Sequence, residues 1–239
     1  FNYFFTVSKF LVSTGYTSWR TTEIIDLSNE EVTCQDLGNY PLDIAEGVGL
    51  NIGSFSVICG GFDGSGSINQ CYQLDEGEWK EFATMNSRRA GAAGILHGNS
   101  FMVFGGFDND LSVRLQSTEI INENGQVSQG SNMPIAVAWH AITDVNSTTS
   151  IISGGDFVWG SYTKPFSTLT WYYNHVTQEF KLGPILMEGR QRHGSGTVFD
   201  QKTKEKIVVV AGGWDGVNDL YSTELLIDGE WQQGENLPS

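Results

Sequence analysis

Four segments of the chain end an apolar run in a glycine pair, and the spacing between them constrains the fold more than any other feature. They are Cys59-Gly60-Gly61-Phe62-Asp63-Gly64, Phe104-Gly105-Gly106-Phe107-Asp108-Asn109, Ser153-Gly154-Gly155-Asp156 and Ala211-Gly212-Gly213-Trp214-Asp215-Gly216. A worn fifth copy, Ser13-Thr14-Gly15-Tyr16, follows Phe10-Leu11-Val12. The last glycines, Gly15, Gly61, Gly106, Gly155 and Gly213, are 46, 45, 49 and 58 residues apart. A period of this length is too long for the common solenoid repeats and fits modules of four short strands.

Within each period the same four strands, a to d, can be marked. In the third they fall at Ala90–Leu96, Ser100–Gly105, Gln116–Asn122 and Gln126–Gly130, with His97-Gly98-Asn99 as the first turn. The third strands align best: Arg20–Asp26, Gln116–Asn122 and Tyr221–Asp228 share a Thr-Glu followed by apolar residues, and Asn69–Asp75 and Phe166–Trp171 are divergent versions. A large residue is then expected on strand d at Trp79 and Trp231, replaced by Val32, Val127 and Phe180 elsewhere. Its expected task is to cover its own module and the next one. Composition agrees with this reading. Glycine, at 29 of 239 residues, is about 12% against a usual ~7%, and aromatics make up 12%.

A paired glycine after an apolar strand, a polar or aromatic strand about ten residues on, and a Trp beyond it resembles the kelch repeat. Gly60-Gly61 with Tyr72 and Trp79, and Gly212-Gly213 with Tyr221 and Trp231, match best. The third copy lacks the Trp, the fourth has Phe180 in its place, and the first keeps only Gly15. The resemblance covers the whole chain and implies an all-β propeller of four-stranded antiparallel blades. Five blades are expected, at about 1–42, 43–88, 89–134, 135–188 and 189–239, either closing on themselves or forming part of a six-bladed ring. Such propellers serve mostly as interaction platforms and occasionally as enzymes.

The formal charge of −15 speaks against nucleic acid or an anionic membrane surface as the partner. No run approaches the ~18 apolar residues of a membrane span. Cys59 and Cys71 would face each other across one hairpin, which permits a disulfide as well as two buried thiols, and Cys34 is left over. Asn146-Ser147-Thr148 is a glycosylation acceptor in a polar turn. With a chain that begins at Phe1, these features favour an extracellular setting over a cytoplasmic one.

Alternating strand direction puts the residues after each glycine pair on the same face as those leading into strand a. The first set is Phe62, Asp63, Phe107, Asp108, Asp110, Asp156, Trp159, Trp214 and Asp215; the second is Arg88, Arg89, Trp139, His140, Arg190, Arg192 and His193. Arg and aromatic residues dominate binding hot spots. The expected function is a non-catalytic module binding a protein or peptide through Arg88, Arg89, Trp139, His140, Arg192, His193 and Trp214, with Asp63, Asp108 and Asp215 beside them. Each Asp is also suited to capping its own turn, and each Arg to bonding backbone carbonyls. An alternative is a carbohydrate-binding or enzymatic propeller using those carboxylates with His193, and a third is a structural fragment of a larger secreted protein. His140 and His193 without a third ligand do not make a metal site, and no cofactor is expected. His97 and His175 are expected to be solvated in turns, and Lys202, Lys204 and Lys206 to form a solvated hairpin on the opposite face.

Overall fold

The computed structural model describes residues 4–6, 9–13, 20–26, 33–52, 55–157, 167–199 and 205–238. The chain divides into two compact units, Phe1–Gly130 and Ser131–Ser239.

The first unit holds three four-stranded antiparallel sheets, each a meander in chain order. They are β1 (Phe4–Thr6), β2 (Lys9–Ser13), β3 (Thr22–Asp26) and β4 (Thr33–Asp36); then β5 (Val48–Ile52), β6 (Phe55–Cys59), β7 (Gln70–Asp75) and β8 (Glu78–Thr84); then β9 (Ala93–His97), β10 (Ser100–Phe104), β13 (Thr118–Asn122) and β14 (Val127–Gln129). A two-stranded ribbon, β11 (Phe107–Asp108) with β12 (Val113–Arg114), fills the loop after β10. The second unit holds β15 (Ala141–Asn146), β16 (Thr149–Ser153), β17 (Thr170–Asn174) and β18 (Phe180–Leu182), then β19 (Gly194–Phe199), β20 (Lys206–Ala211), β21 (Thr223–Ile227) and β22 (Glu230–Gln233).

Burial follows position in the meander. The second strand is central, so β10 reads Ser-Phe-Met-Val-Phe with four consecutive buried residues. The fourth strand is an edge, and β4, Thr-Cys-Gln-Asp, is exposed throughout. In the first unit the cores lie between sheets, one around Val57, Met85, Phe101 and Ile121, another around Tyr40, Ile44, Ile58 and Tyr72. In the second, Ile151, Leu186, Val208, Val210 and Trp231 pack together.

Strand registers superimpose the modules residue by residue. Ser13 faces Thr22, Cys59 faces Cys71, Phe104 faces Thr118, Ser153 faces Thr170 and Ala211 faces Thr223. Ser13 and Thr22 share a 2.8 Å hydroxyl hydrogen bond, and at the equivalent place Cys59 and Cys71, both wholly buried, are joined by a disulfide. The same registers correct two sequence expectations. The fourth module's third strand, expected at Phe166–Trp171, begins instead at Thr170, which faces Ser153. In the first module the place of the strand-d Trp is held by Cys34, paired with Ile25 as Trp79 is with Leu74 and Trp231 with Leu226. Val32 lies outside the described residues, as do Gly15, Tyr16 and Phe166.

The Trp side chains reach back to the preceding module, not forward. Trp79 Nε1 donates to Thr22 Oγ1 at 3.0 Å, with its ring edge-on to Tyr40 at 4.9 Å. Trp231 Nε1 donates to the Pro184 carbonyl at 3.2 Å, and that carbonyl also accepts from Thr170 Oγ1, the counterpart of Thr22.

The glycine pairs turn the chain where modules meet. At Gly154 (φ 62°) a Cβ would stand 2.3 Å from the Arg190 carbonyl oxygen and 2.7 Å from His193 Cε1. At Gly213 (φ 95°) it would meet the Gln191 carbonyl oxygen at 2.5 Å and His193 Cβ at 2.8 Å. These corners therefore exclude any side chain, both by backbone conformation and by close approach.

Candidate functional site

The segment leading into the first strand of each of the last four modules has one unusual residue. Glu46, Gly91, Trp139 and Arg192 follow the bridging residues Ala45, Ala90, Ala138 and Gln191, and all four have positive φ, at 59°, 58°, 54° and 56°. Left-handed backbone is uncommon for residues with a Cβ and costs roughly 1–3 kcal/mol each. In the first unit Gly91 N donates to the Glu46 carbonyl, and in the second Arg192 N donates to the Trp139 carbonyl, each at 2.9 Å.

In the second unit this geometry brings three expected site residues together. The Arg192 guanidinium lies over the Trp139 ring, 4.9 Å from its centroid. Arg192 is exposed and Trp139 half-buried. Gln191, next to Arg192, exchanges backbone hydrogen bonds with Trp214 at 2.9 and 3.1 Å, and Trp214 is 37% exposed. Trp139 and Arg192 thus form a stacked pair, and Trp214 is tied by backbone bonds to the residue preceding Arg192. An exposed stack of this kind contributes about 0.5–1 kcal/mol.

His140 and His193, next in the chain to Trp139 and Arg192, are buried against the glycine corners: Gly155 leaves room for His140 Cβ, and Gly154 and Gly213 for the His193 ring and Cβ. His193 Nε2 shares a 2.9 Å hydrogen bond with Ser153 Oγ. Burial, with the charges of Arg190 and His140 as lesser causes, lowers the His193 pKa to about 3. His193 is therefore a neutral, positioned core group and not a contact residue, which corrects its expected place on the binding surface. His140, 7% exposed, is corrected likewise.

Arg89 is also removed from that surface. It is 1% exposed, and its Nη2 donates to Glu119 Oε1 at 2.7 Å and to Ser117 Oγ at 3.0 Å, while Nη1 donates to the Gly105 and Ser117 carbonyls. Arg190 repeats the arrangement with Glu224, Ser222 and the Gly212 carbonyl. The carboxylates are shared with the loop before each Arg: Glu119 accepts from the backbone of Asn86 and Ser87, and Glu224 from Met187 and Glu188. Burial draws the Arg89 pKa down and Glu119 opposes it, leaving a charged pair. Sequence reasoning missed Glu119 and Glu224, although the recurring Ser-Thr-Glu of the third strands was the signal.

Arg88 remains at the surface of the first unit, ion-paired with Asp110. With Asp63, Ser65, Ser67, Asn69 and Gln70 they line a polar cleft of about 210 Å³. Three of the aspartates after the glycine pairs hold their own turns. Asp63 Oδ1 accepts from Ser65 N, Ser65 Oγ and Gly66 N, and these bonds, the Ser65 hydroxyl first, hold its pKa below the usual range. Asp108 accepts from Asp110 N and Leu111 N, and Asp215 from Val217 N and Asn218 N, the Asn218 amide being the main cause of a lowered pKa in Asp215. Trp159 and the lysines Lys202 and Lys204 lie outside the described residues.

With this geometry in hand, comparison with known proteins places the fold. No family model and no curated protein matches the chain. Among solved structures, that of YjhT matches with a TM-score of 0.85 at 10% sequence identity, over 99% of this chain and 83% of that one. The fold is all-β and propeller-like. At 10% identity the likeness extends to the fold alone.

One more placement departs from the sequence reading. His175, expected in solvent, is 6% exposed, with Nε2 2.7 Å from Ser150 Oγ. Ser150 Oγ donates to Asp144 Oδ1, so His175 Nε2 must carry the proton it gives to Ser150. The serine proton faces the carboxylate, and the serine is wholly buried. This cluster joins strands and lacks the geometry of a nucleophilic triad. Cys34 is an exposed free thiol. Among the described residues no helix is long and apolar enough to cross a membrane.

Proposed function

We propose that the chain is a kelch-type β-propeller whose five four-stranded sheets are blades, closing on themselves or forming part of a six-bladed ring, and that it acts as a non-catalytic module binding a protein or peptide. The ligand surface is made of Trp139, Arg192 and Trp214. The observation that carries this reading is the pairing of Trp139 with Arg192: two bulky residues at equivalent places, both in strained left-handed backbone, stacked with the guanidinium exposed. Strain of this kind collects at functional sites, and Trp and Arg are the side chains most enriched in binding hot spots.

A catalytic reading has less support. Asp63, Asp108 and Asp215 are engaged by their own turns, and His193, with a pKa near 3, is a poor general base at neutral pH.

Selection of the protein against a displayed random peptide library tests the proposal. Peptides are expected to enrich on the wild type and to be lost on both Trp139→Ala and Arg192→Ala. No enrichment, or peptides retained equally by both variants, would overturn it.

A further inference from the structure

We propose that Asn146 carries an N-linked glycan. Asn146-Ser147-Thr148 forms the tip between β15 and β16, and all three residues are exposed. Asn146 Oδ1 accepts from Thr148 N and from Thr148 Oγ1, each at 3.0 Å, which turns the carbonyl end of the amide back into the turn. Asn146 Nδ2 makes no hydrogen bond among the described residues, so the end that takes the sugar is the end left to solvent. The tip is anchored from beneath by His175 N, which donates to the Thr148 carbonyl at 2.9 Å.

A second observation is independent and lies in the other unit. Cys59 and Cys71 are joined across β6 and β7 with no solvent exposure. Structural disulfides form and persist in the oxidising secretory compartments, where asparagine acceptors are also modified. Acceptor and disulfide therefore assign the chain to the same environment.

The transfer needs a lipid-diphosphate-linked oligosaccharide as co-reactant. Asn146 Nδ2 attacks C1 of its first sugar, the C1–N bond forms, the C1–O bond breaks, the diphosphate leaves with the bonding pair, and Nδ2 gives up one proton; no redox change occurs.

The position has a steric consequence. Strand β15 runs six residues from Ala141 to Asn146, about 20 Å at the usual rise, so the glycan stands at the far end of the sheet from Trp139. The same end of the unit exposes Val176 at 71% and Val198 and Phe199 at 50% and 51%, apolar surface that a glycan would shield.

Native protein recovered by immunoprecipitation and digested for peptide mass mapping tests this directly. The peptide bearing Asn146 is expected to carry a hexose and N-acetylhexosamine mass that peptide-N-glycosidase removes, converting Asn146 to aspartate, in molecules whose Cys59 and Cys71 peptides are disulfide-linked. In a secretory host, Asn146→Gln and Thr148→Ala should lose the gel shift and Thr148→Ser should keep it. A bare Asn146 peptide in the native protein, whether Cys59 and Cys71 are linked or reduced, would overturn the proposal.

Discussion

Arg190 and Glu224 face each other at 2.9 Å with side chains 0% and 1% exposed, and Arg89 with Glu119 repeats the pair at 2.7 Å, both side chains fully buried. The carboxylate in each case also caps the loop that delivers the arginine, so the pair fixes where the following strand begins. Removing one partner strands a buried charge. Arg190→Met is expected to lose about 3–5 kcal/mol of unfolding free energy. Adding Glu224→Gln should recover part of this, because the neutral amide can still accept from Met187 N. Urea midpoints of the two variants check it; equal or greater loss in the double variant would contradict the account.

His193 gives a pH dependence of definite sign. Its pKa is about 3 folded against an ordinary 6.5, so between those values the unfolded chain binds the proton and the folded chain does not. Stability is therefore intact above pH 6.5 and falls as pH is lowered towards 3. At pH 4.5 the cost is about 2–3 kcal/mol. Unfolding of wild type and His193→Gln measured from pH 7.5 to 4.5 should show the variant losing less, and parallel curves would contradict it.

The glycine corners separate conformational strain from crowding. Gly213 and Gly229 both have positive φ, 95° and 80°, but an added Cβ meets the Gln191 carbonyl oxygen at 2.5 Å in the first and nothing within 4 Å in the second. Gly229→Ala should cost about 1 kcal/mol and Gly213→Ala clearly more. Thermal melts compare them, and equal costs would remove the crowding argument.

The Ser13–Thr22 hydrogen bond shows what the Cys59–Cys71 site can hold without a cross-link. Cys59→Ser with Cys71→Thr should therefore keep its packing and lose about 2–4 kcal/mol, the contribution of closing a short loop. Reduction of the wild type should give a similar loss in denaturant titration. A much smaller loss would mean that the bond adds little to its buried surroundings.

The sequence carried the repeat, the order of strands and the facing of Cys59 and Cys71, because alternation and glycine placement are local consequences of backbone geometry. It did not carry direction between modules. Nothing local says that Trp79 reaches back to Thr22, or that Cys34 stands where Trp79 and Trp231 stand. At the site, residue type suggested that Arg89, Arg190 and Arg192 belong together, yet two are buried clamps and one is exposed. What separates them is two positions along the same lead-in and the left-handed φ of Arg192, which side-chain chemistry does not reveal. Glu46, at the place of Trp139 and Arg192, was invisible for the same reason.

The ligand surface is tested most directly by calorimetric titration of one library-selected peptide into wild type, Arg192→Ala and Asn146→Gln, the last altering the far end of β15. Arg192→Ala should weaken binding by about 30-fold or more, the loss of a hot-spot side chain, with Asn146→Gln unchanged. Equal affinity for Arg192→Ala and wild type, or a loss confined to Asn146→Gln, would contradict the account.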